Sequence, residues 1–230
     1  MRVKVRSGTL DVEIAREILA ETSEYRIPID FAPATIVDVG ANIGMATLYF
    51  GTLYPSARLF CFEPEPENLE LLKQNVAQLG SRVTVIGAAL GATEGQATFV
   101  PSGDPANKGG GSCRSDREEG LKVPVTTLAR VMAEHGVDTI DLLKLDCEGA
   151  ERSVIAGLPP GLIHQVEVIV GELHGVSDLQ VLGTIWESHH VGVSKRFDRP
   201  CFPFVAVRRG IERAPAIVRH TGGNSCRTTY

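Results

Sequence analysis

Acidic side chains and one histidine follow two apolar runs in the second half of the chain. Asp146 and Glu148 come directly after one run, and Glu172 and His174 end the next. Because open α/β sheets bind ligands at the carboxyl ends of their strands, we expect these side chains to meet at one edge. Such groups can take a proton from an attacking hydroxyl, and a histidine with its ordinary pKa of about 6.5 suits neutral pH. We predict catalytic roles for Asp146, Glu148 and His174 and a substrate-binding role for Glu172.

Each of these residues also has a simpler interpretation. His174 could cap a helix or lie at the sheet edge, and Glu148 could be a capping acid of the next helix. Asp146 suits positioning of a substrate or a donor amine better than proton transfer. Together with Glu172 they would also form an oxygen-rich Mg²⁺ or Mn²⁺ site with one imidazole. A divalent metal is therefore left open, and no residue is assigned as a metal ligand.

The stretch Thr35–Gly44 joins an apolar strand to a helix through a glycine turn. Its β-branched residues suit a central parallel strand, and its glycines allow a sharp turn and the close approach of a ligand. The dinucleotide fingerprint needs glycines at two positions that Asn42 and Met45 occupy. The carboxylate of Asp38 would repel a pyrophosphate and attract an ammonium or sulfonium group. The pattern therefore favours S-adenosylmethionine, bound by Asp38, Gly40, Asn42, Ile43 and Gly44.

A second strand end supplies another acid to the same edge. This apolar run ends in Glu63 and Pro64, where such folds place a carboxylate on a ribose diol. The small residues Ala88 and Ala89 follow the third strand, where an adenine ring can lie against the backbone. Asp38 and Glu63 could instead be ordinary strand-end acids that cap helices. We predict that Glu63, Pro64, Ala88, Ala89 and Asp146 contact the cofactor.

Three segments together resemble the FkbM-type methyltransferase family: Val37–Gly44, Phe60–Pro64 and Leu143–Glu151. The Lys-x-Asp-x-Glu-Gly-Ala-Glu order in the last segment is the most specific of them. The resemblance implies a Rossmann-like class I methyltransferase fold, with a mostly parallel seven-stranded sheet and helices on both faces. It also implies S-adenosylmethionine-dependent O-methylation of a small polar acceptor, such as a sugar, a cyclitol or a natural-product intermediate in biosynthetic tailoring.

Two segments are expected outside the central fold. Residues 1–33 contain an amphipathic pattern over Asp11–Ser23, which predicts a helix that covers either the cofactor cleft or a sheet edge. Residues 101–120 are polar and rich in glycine, and so long a connection is typical of a functional lid or a spacer. The part around Gly109 and Gly110 resembles a segment of FkbM-type sequences. We predict that Asn107, Lys108 and Gly109 bind substrate.

The rest of the sequence fits one α/β domain over residues 34–208, followed by a basic tail at 209–230. Helix patterns alternate with apolar runs, and Leu179–His189 predicts a helix with Leu182, Ile185 and Trp186 facing inward. The runs 191–197 and 202–208 suggest a final antiparallel hairpin. The tail carries several arginines and only one acid, which indicates a solvated segment rather than a binding surface.

Composition restricts the partners and the compartment. A net charge of −5 argues against a nucleic-acid surface over the whole domain, and no apolar stretch is long enough to span a bilayer. The N-terminus lacks the apolar segment of a signal peptide. The odd number of cysteines, with no Cys-x-x-Cys spacing, indicates reduced thiols. We therefore expect a cytoplasmic enzyme with a small-molecule acceptor and no nucleic-acid or membrane partner; the oligomeric state stays open, with a homodimer as one option.

Three other functions remain open from the sequence. N-methylation of an amino sugar or a peptide is the first, since one scaffold accepts either nucleophile. A nicotinamide-dependent oxidoreductase is disfavoured by Asn42 and Met45. A non-catalytic binding module is the third, and it would give the polar residues at the strand ends no catalytic role.

Overall fold

A seven-stranded, mostly parallel sheet forms the centre of the protein in this computed structural model, which describes residues 1–20, 22–114, 118–174, 178–194 and 201–211. In spatial order the strands are β10 (His189–Val193), β11 (Phe202–Arg208), β9 (Val168–Leu173), β8 (Leu142–Leu145), β1 (Thr35–Val39), β2 (Arg58–Phe62) and β3 (Val83–Ile86). Strands β3, β2, β1, β8 and β9 run parallel, whereas β11 is antiparallel to both of its neighbours. This order confirms the predicted Rossmann-like class I fold and its antiparallel final hairpin. The strand order reverses between β1 and β8, which makes that point the expected ligand site.

Helices cover both faces of the sheet. They are α1 (Asp11–Ile18), α2 (Met45–Leu53), α3 (Pro66–Val76), α4 (Leu128–His135), α5 (Glu151–Ala156) and α6 (Leu179–Trp186), with 3₁₀ helices at Ala77–Arg82 and Leu162–His164. Successive strand residues point to opposite faces, so Val37 and Leu143 join one apolar core while Ile36 and Leu142 join the other. The first core includes residues of α4, α5 and α6, and the second includes residues of α1, α2 and α3. All of β1 is therefore buried.

Local signals explain where two of these helices begin and end. The side chain of Glu65 accepts a hydrogen bond from Asn68 N and Pro66 occupies the first turn, which starts α3. The Thr127 side chain caps α4 in the same way, and Gly136 ends that helix in the left-handed conformation at φ 59°. The start of α3 brings Asn68 to the cleft described below.

A second, four-stranded sheet lies outside the predicted architecture. Its strands in spatial order are β4 (Ala89–Leu90), β7 (Leu121–Thr126), β5 (Gly95–Val100) and β6 (Ser112–Arg114). The sequence predicts residues 101–120 as one irregular connection. That expectation is wrong for Ser112–Arg114, which pairs antiparallel with Thr98–Val100. Backbone pairing with β5 gives this polar segment a regular structure that its composition does not predict.

Several element boundaries also differ from the prediction. Helix α1 ends at Ile18 rather than Ser23, and α6 ends at Trp186 rather than His189. Trp186 was expected to face inward, but it is 57% exposed, whereas Val181 and Ile185 supply the buried side of α6.

Some predictions fall wholly or partly outside the described residues. These are the basic tail from residue 212 onward, the last part of the predicted strand 191–197 and part of the predicted lid. Within the described part of the chain, no helix has the length and apolar character needed to cross a membrane. Four cysteines there are free thiols, namely Cys61, Cys113, Cys147 and Cys201.

Candidate active site

The carboxyl ends of β1, β2 and β8 open into one cleft at the switch point. Its larger part is a cavity of about 420 Å³, and a narrower pocket of about 60 Å³ adjoins it near the end of β2. Both parts are bordered by Gly40, Asn42, Gly109, Asp146 and Glu148. The sequence therefore places the cleft correctly, because the glycine turn and the acidic strand end both line it.

The glycine turn is shaped by the neighbouring strand end. Gly40 has φ 76°, and a Cβ at this position would lie 1.9 Å from the carbonyl oxygen of Asp146. Only glycine therefore allows the turn to pack against the end of β8. Gly44 serves a different contact, since a Cβ there would lie 2.8 Å from Leu72 Cδ1 of α3. Gly44 does not border the cleft, whereas Ile43 lines the larger cavity.

Asp38 lies beneath the turn rather than on the wall of the cleft. Its side chain is fully buried, with Oδ1 3.1 Å from Lys144 Nζ and Oδ2 accepting a hydrogen bond of 2.7 Å from Thr47. Lys144 Nζ also donates to the carbonyl oxygen of Gly40 at 2.7 Å. The predicted direct contact between Asp38 and a cofactor ammonium does not match this position. The geometry instead gives Asp38 and Lys144 the task of holding the glycine turn.

Glu63 connects the turn to the end of β2. Its Oε2 accepts a hydrogen bond of 2.8 Å from Asn42 N, and its Oε1 accepts one of 2.9 Å from Glu65 N. Burial raises the pKa of Glu63 to about 7, against the lowering effect of these two backbone hydrogen bonds. Pro64 and Ala89 line the narrow pocket with Glu63, while Ala88 is buried and does not border it. The ribose contact of Glu63 stays a prediction; each oxygen retains a lone pair for it.

Asn68 is a pocket residue that the sequence analysis missed. It lies in the first turn of α3, is 3% exposed and borders the narrow pocket. Its Nδ2 is 3.4 Å from the carbonyl oxygen of Lys108, but its buried Oδ1 has no hydrogen-bond partner among the described residues. A buried amide oxygen without a partner is costly, so this atom is placed to accept a hydrogen bond from a ligand. The available signal was a polar residue on the side of α3 that faces the sheet.

His174 lies among carboxylates at the wide end of the cleft. Its Nδ1 is 3.0 Å from Glu151 Oε1, and its Nε2 lies 3.5–3.6 Å from oxygens of three other carboxylates. Those three belong to Asp146, Glu148 and Glu172. Burial lowers the pKa of His174, but the hydrogen bonds and negative charges outweigh it and raise the pKa to about 11. The raised pKa favours an imidazolium at neutral pH, so the role of His174 as a neutral base stays a prediction that these contacts disfavour.

Glu151 fixes the position of this imidazolium and was also missed. It is fully buried, and its carboxylate accepts backbone hydrogen bonds of 2.9 Å from Cys147 N and Gly149 N. The same carboxylate contacts His174 Nδ1, so the β8–α5 turn and the imidazole share one anchor. Its signal was present in the sequence as the final Glu of the Leu143–Glu151 segment.

Glu148 differs from the other acids in exposure and pKa. Its side chain is 33% exposed, and its backbone has a positive φ of 56°, which is uncommon outside glycine and frequent at functional sites. Burial raises its pKa to about 7, although His174 acts in the opposite direction. Asp146 is held more tightly, since Tyr25 OH donates to its Oδ2 at 2.6 Å. Glu148 is therefore the acid best placed to exchange a proton near neutral pH.

Two segments cover the cleft. Leu10, Ile14 and Ile18 line the larger cavity at and within α1, so this helix covers the cleft as well as packing on the core. The backbone N–H of Leu10 donates to the carbonyl oxygen of Ala106 at 2.9 Å, which ties this helix to the 101–111 segment.

The 101–111 segment contributes only some of its predicted residues. Asn107 and Gly109 line the larger cavity, and Gly109 passes so close to Asn42 that a Cβ would lie 2.6 Å from its Nδ2. Lys108 does not border the cavity; its ammonium lies 3.9 Å from Glu67 on the outer side. A direct substrate contact by the Lys108 side chain therefore does not match this geometry.

Comparison with known proteins identifies the domain. The Methyltransferase FkbM domain matches residues 38–192. The chain belongs to the FkbM methyltransferase family. Among its curated relatives are 31-O-demethyl-FK506 methyltransferase FkbM of Streptomyces tacrolimicus, 29% identical over 70% of this chain and 74% of that protein, and 2-O-methyltransferase NoeI of Sinorhizobium fredii, 30% identical over 66% of each.

Other matches differ in length and in sequence. AMB antimetabolite synthetase AmbE of Pseudomonas aeruginosa is 29% identical over 72% of this chain, which spans only 10% of that protein. The crystal structure of precorrin-6y C5,15-methyltransferase from Geobacter metallireducens has a TM-score of 0.49 and 14% identity, covering 90% of this chain and 94% of its own. For the FkbM domain described here, the family match establishes a methyltransferase domain and sets aside the oxidoreductase interpretation.

One group in the FkbM domain has the composition of a metal site. Ligand atoms of Asp146, Glu151 and His174 lie within 4.8 Å of one another. Both oxygens of Glu151 already accept backbone hydrogen bonds, and His174 Nδ1 is engaged with Glu151. The Glu151 oxygens and His174 Nδ1 thus already have protein partners. Their arrangement does not by itself indicate an ion. We leave the predicted divalent metal without an assigned site.

Proposed function

We propose that this FkbM domain transfers a methyl group from S-adenosylmethionine to a hydroxyl of a small polar acceptor, such as a sugar, a cyclitol or a natural-product intermediate. The observation that carries the proposal is the shared cleft, in which the glycine turn and Glu148 border the same space. The names of two relatives, a 31-O and a 2-O methyltransferase, support a hydroxyl acceptor.

The residues of the cleft fit the proposed cofactor. The narrow pocket combines Glu63, the unpartnered Oδ1 of Asn68 and the small side chain of Ala89, which suits a nucleoside with hydroxyl and amino donors. The turn at Gly40, Asn42 and Ile43 offers backbone close to a ligand. When bound, S-adenosylmethionine supplies a methyl group activated by a sulfonium.

The acidic end of the cleft then handles the acceptor. Glu148 would take the hydroxyl proton onto its carboxylate as the attacking oxygen gains the methyl group and the carbon–sulfur bond breaks, which leaves S-adenosylhomocysteine. Its pKa of about 7 suits this role, since at neutral pH it is partly ionised and accepts a proton readily. His174 remains protonated and holds the surrounding carboxylates by charge, while Tyr25 and Lys144 fix Asp146.

The covering segments contribute alignment and exclusion of water. A methyl transfer needs the attacking oxygen, the methyl carbon and the sulfur in line at about 3–3.5 Å, and a closed cavity maintains that alignment. The tie between Leu10 and Ala106 supports this role for α1 and the 101–111 segment.

Calorimetric titration with S-adenosylhomocysteine and, in parallel, with NAD tests the cofactor assignment. We expect binding of S-adenosylhomocysteine only, weakened roughly tenfold by Asn68→Leu because a buried hydrogen bond of 1–2 kcal/mol is lost, by order of magnitude. The matched control is Gln74→Leu, an exposed position on the same helix. An acceptor screen with radiolabelled S-adenosylmethionine follows. Absence of S-adenosylhomocysteine binding to the folded protein would refute the proposal.

A further inference from the structure

The wall of the larger cavity carries an excess of negative charge. Among the described residues that line it, carboxylates outnumber cationic groups, and no arginine is present. The carboxylates are those of Glu17, Glu24, Asp146, Glu148 and Glu172, and the cationic side chains are Lys144 and His174. A carboxylate or phosphate on the acceptor would be repelled here, whereas a cation would be attracted.

Both cationic side chains are already committed to other partners. Lys144 is 2% exposed, pairs with Asp38 at 3.1 Å and donates to the carbonyl oxygens of Val39 and Gly40. His174 contacts the buried Glu151 through Nδ1. Each cation thus has one acidic partner outside the cavity lining, and the lining acids still outnumber the two cations.

Glu172 gives the second, independent indication of a ligand. It is 7% exposed, and its Oε1 is buried with no hydrogen-bond partner among the described residues. Burial raises its pKa, but hydrogen bonds and the charge of His174 outweigh this and lower the pKa to about 2, so the group is ionised. A buried anionic oxygen without a donor is costly, which marks it as a place for a cationic hydrogen-bond donor.

We propose that the acceptor carries a protonated amine that binds against Glu172, as an amino sugar or an aminocyclitol would. This inference rests on the proposed methyl transfer. The sulfonium of the cofactor would add only one positive charge, and Glu172 keeps a buried oxygen without a hydrogen-bond partner for the acceptor. The amine serves for recognition, because a protonated nitrogen has no lone pair for attack; a hydroxyl of the same molecule receives the methyl group.

Calorimetry on protein saturated with S-adenosylhomocysteine tests this with three matched sugars: D-glucosamine, N-acetyl-D-glucosamine and D-glucuronate. We expect D-glucosamine to bind at least about tenfold more tightly than the uncharged N-acetyl form, as a charge-assisted hydrogen bond implies, and D-glucuronate not to bind. Glu172→Gln should abolish the preference, and the exposed control Glu13→Gln should retain it.

The outcomes separate the two proposals. If S-adenosylhomocysteine does not bind, the proposed function fails at its cofactor. If it binds but D-glucosamine shows no advantage, or does not bind, only the amine assignment is overturned. A titration with Mn²⁺ adds a further arm, since Mn²⁺ binding that depends on Glu172, together with loss of D-glucosamine binding, would assign the wall to a metal ion instead.

Discussion

The ionisation of Glu148 should depend on the charge of His174. Replacing His174 by Asn removes an imidazolium whose Nε2 lies 3.5 Å from Glu148 Oε2. The positive charge favours the ionised carboxylate, so its loss should raise the pKa of Glu148 above its value of about 7. If His174 were instead a neutral base, as its ordinary pKa suggests, the substitution would leave the titration of Glu148 nearly unchanged.

The size of the shift follows from the distance and the exposure. At 3.5 Å, Coulomb's law gives about 1.2 kcal/mol at the dielectric constant of water and about 4.7 kcal/mol at an effective value of about 20. The Glu148 side chain is 33% exposed, so solvent screening favours the lower figure. That corresponds to about one pKa unit. We therefore expect the titration midpoint of Glu148 to move from near 7 to about 8.

Carboxyl ¹³C NMR of glutamate-labelled protein measures this shift without a known acceptor. Glu148→Gln assigns the signal, and Glu13→Gln, at an exposed site, controls for the substitution itself. The ring ¹⁵N signals of His174 should report two protonated nitrogens at pH 8 in the parent protein. A Glu148 midpoint that stays in place in the His174→Asn variant, or a neutral His174 ring at pH 8, would refute the charge arrangement and return His174 to the role of base.

Three further outcomes are expected. Gly40→Ala should lower the melting temperature and abolish S-adenosylhomocysteine binding. The control Gly8→Ala, at φ 75° with nothing within 4 Å of the added Cβ, should lower the melting temperature far less. Equal effects would show that the contact with the end of β8 is unimportant. Lys144→Met should destabilise the fold by about 3–5 kcal/mol in urea denaturation because the buried carboxylate of Asp38 is left unpaired. Adding Asp38→Asn should recover part of that loss. No recovery would contradict the pairing. The contribution of Glu148 to stability should be full below its ordinary pKa of 4.5 and lost as the pH rises through about 7. Glu148→Gln should therefore reduce the fall in unfolding free energy between pH 5 and pH 8. An unchanged fall would contradict the raised pKa.

The sequence predicts the central sheet well because burial on both faces requires continuous apolar runs. A strand such as β1 is apolar and β-branched from end to end, and the glycine turn fixes where it stops. The second sheet has no such runs. Its strand β6 has three residues and β7 contains Pro124, so neither forms a periodic apolar pattern. Their structure depends on pairing with β5, a contact between segments distant in sequence.

The residue types of the site are predictable, but their protonation is not. The spacing of Asp146, Glu148, Glu172 and His174 from two strand ends is enough to bring them to one edge. Whether His174 is charged depends on how many carboxylates surround it within about 4 Å, a distance at which such pairs shift a pKa. The decisive neighbour, Glu151, lies inside the helix after β8 and is aimed back at the turn by two backbone hydrogen bonds. That orientation is a property of the folded turn.

The placement of Asp38 shows the same limit for a charge beside a glycine turn. An acid at the end of a strand attracts whichever cation is nearest, and the sequence offers only the ligand as a candidate. The fold offers another, because β1 and β8 pair in the register that sets Asp38 opposite Lys144. Once two buried charges face each other across adjacent strands, pairing avoids the cost of leaving either one alone in the core. Lys144 in turn holds the glycine turn by donating to the carbonyl oxygens of Val39 and Gly40. The cleft is therefore bordered by this turn and not by the Asp38 carboxylate.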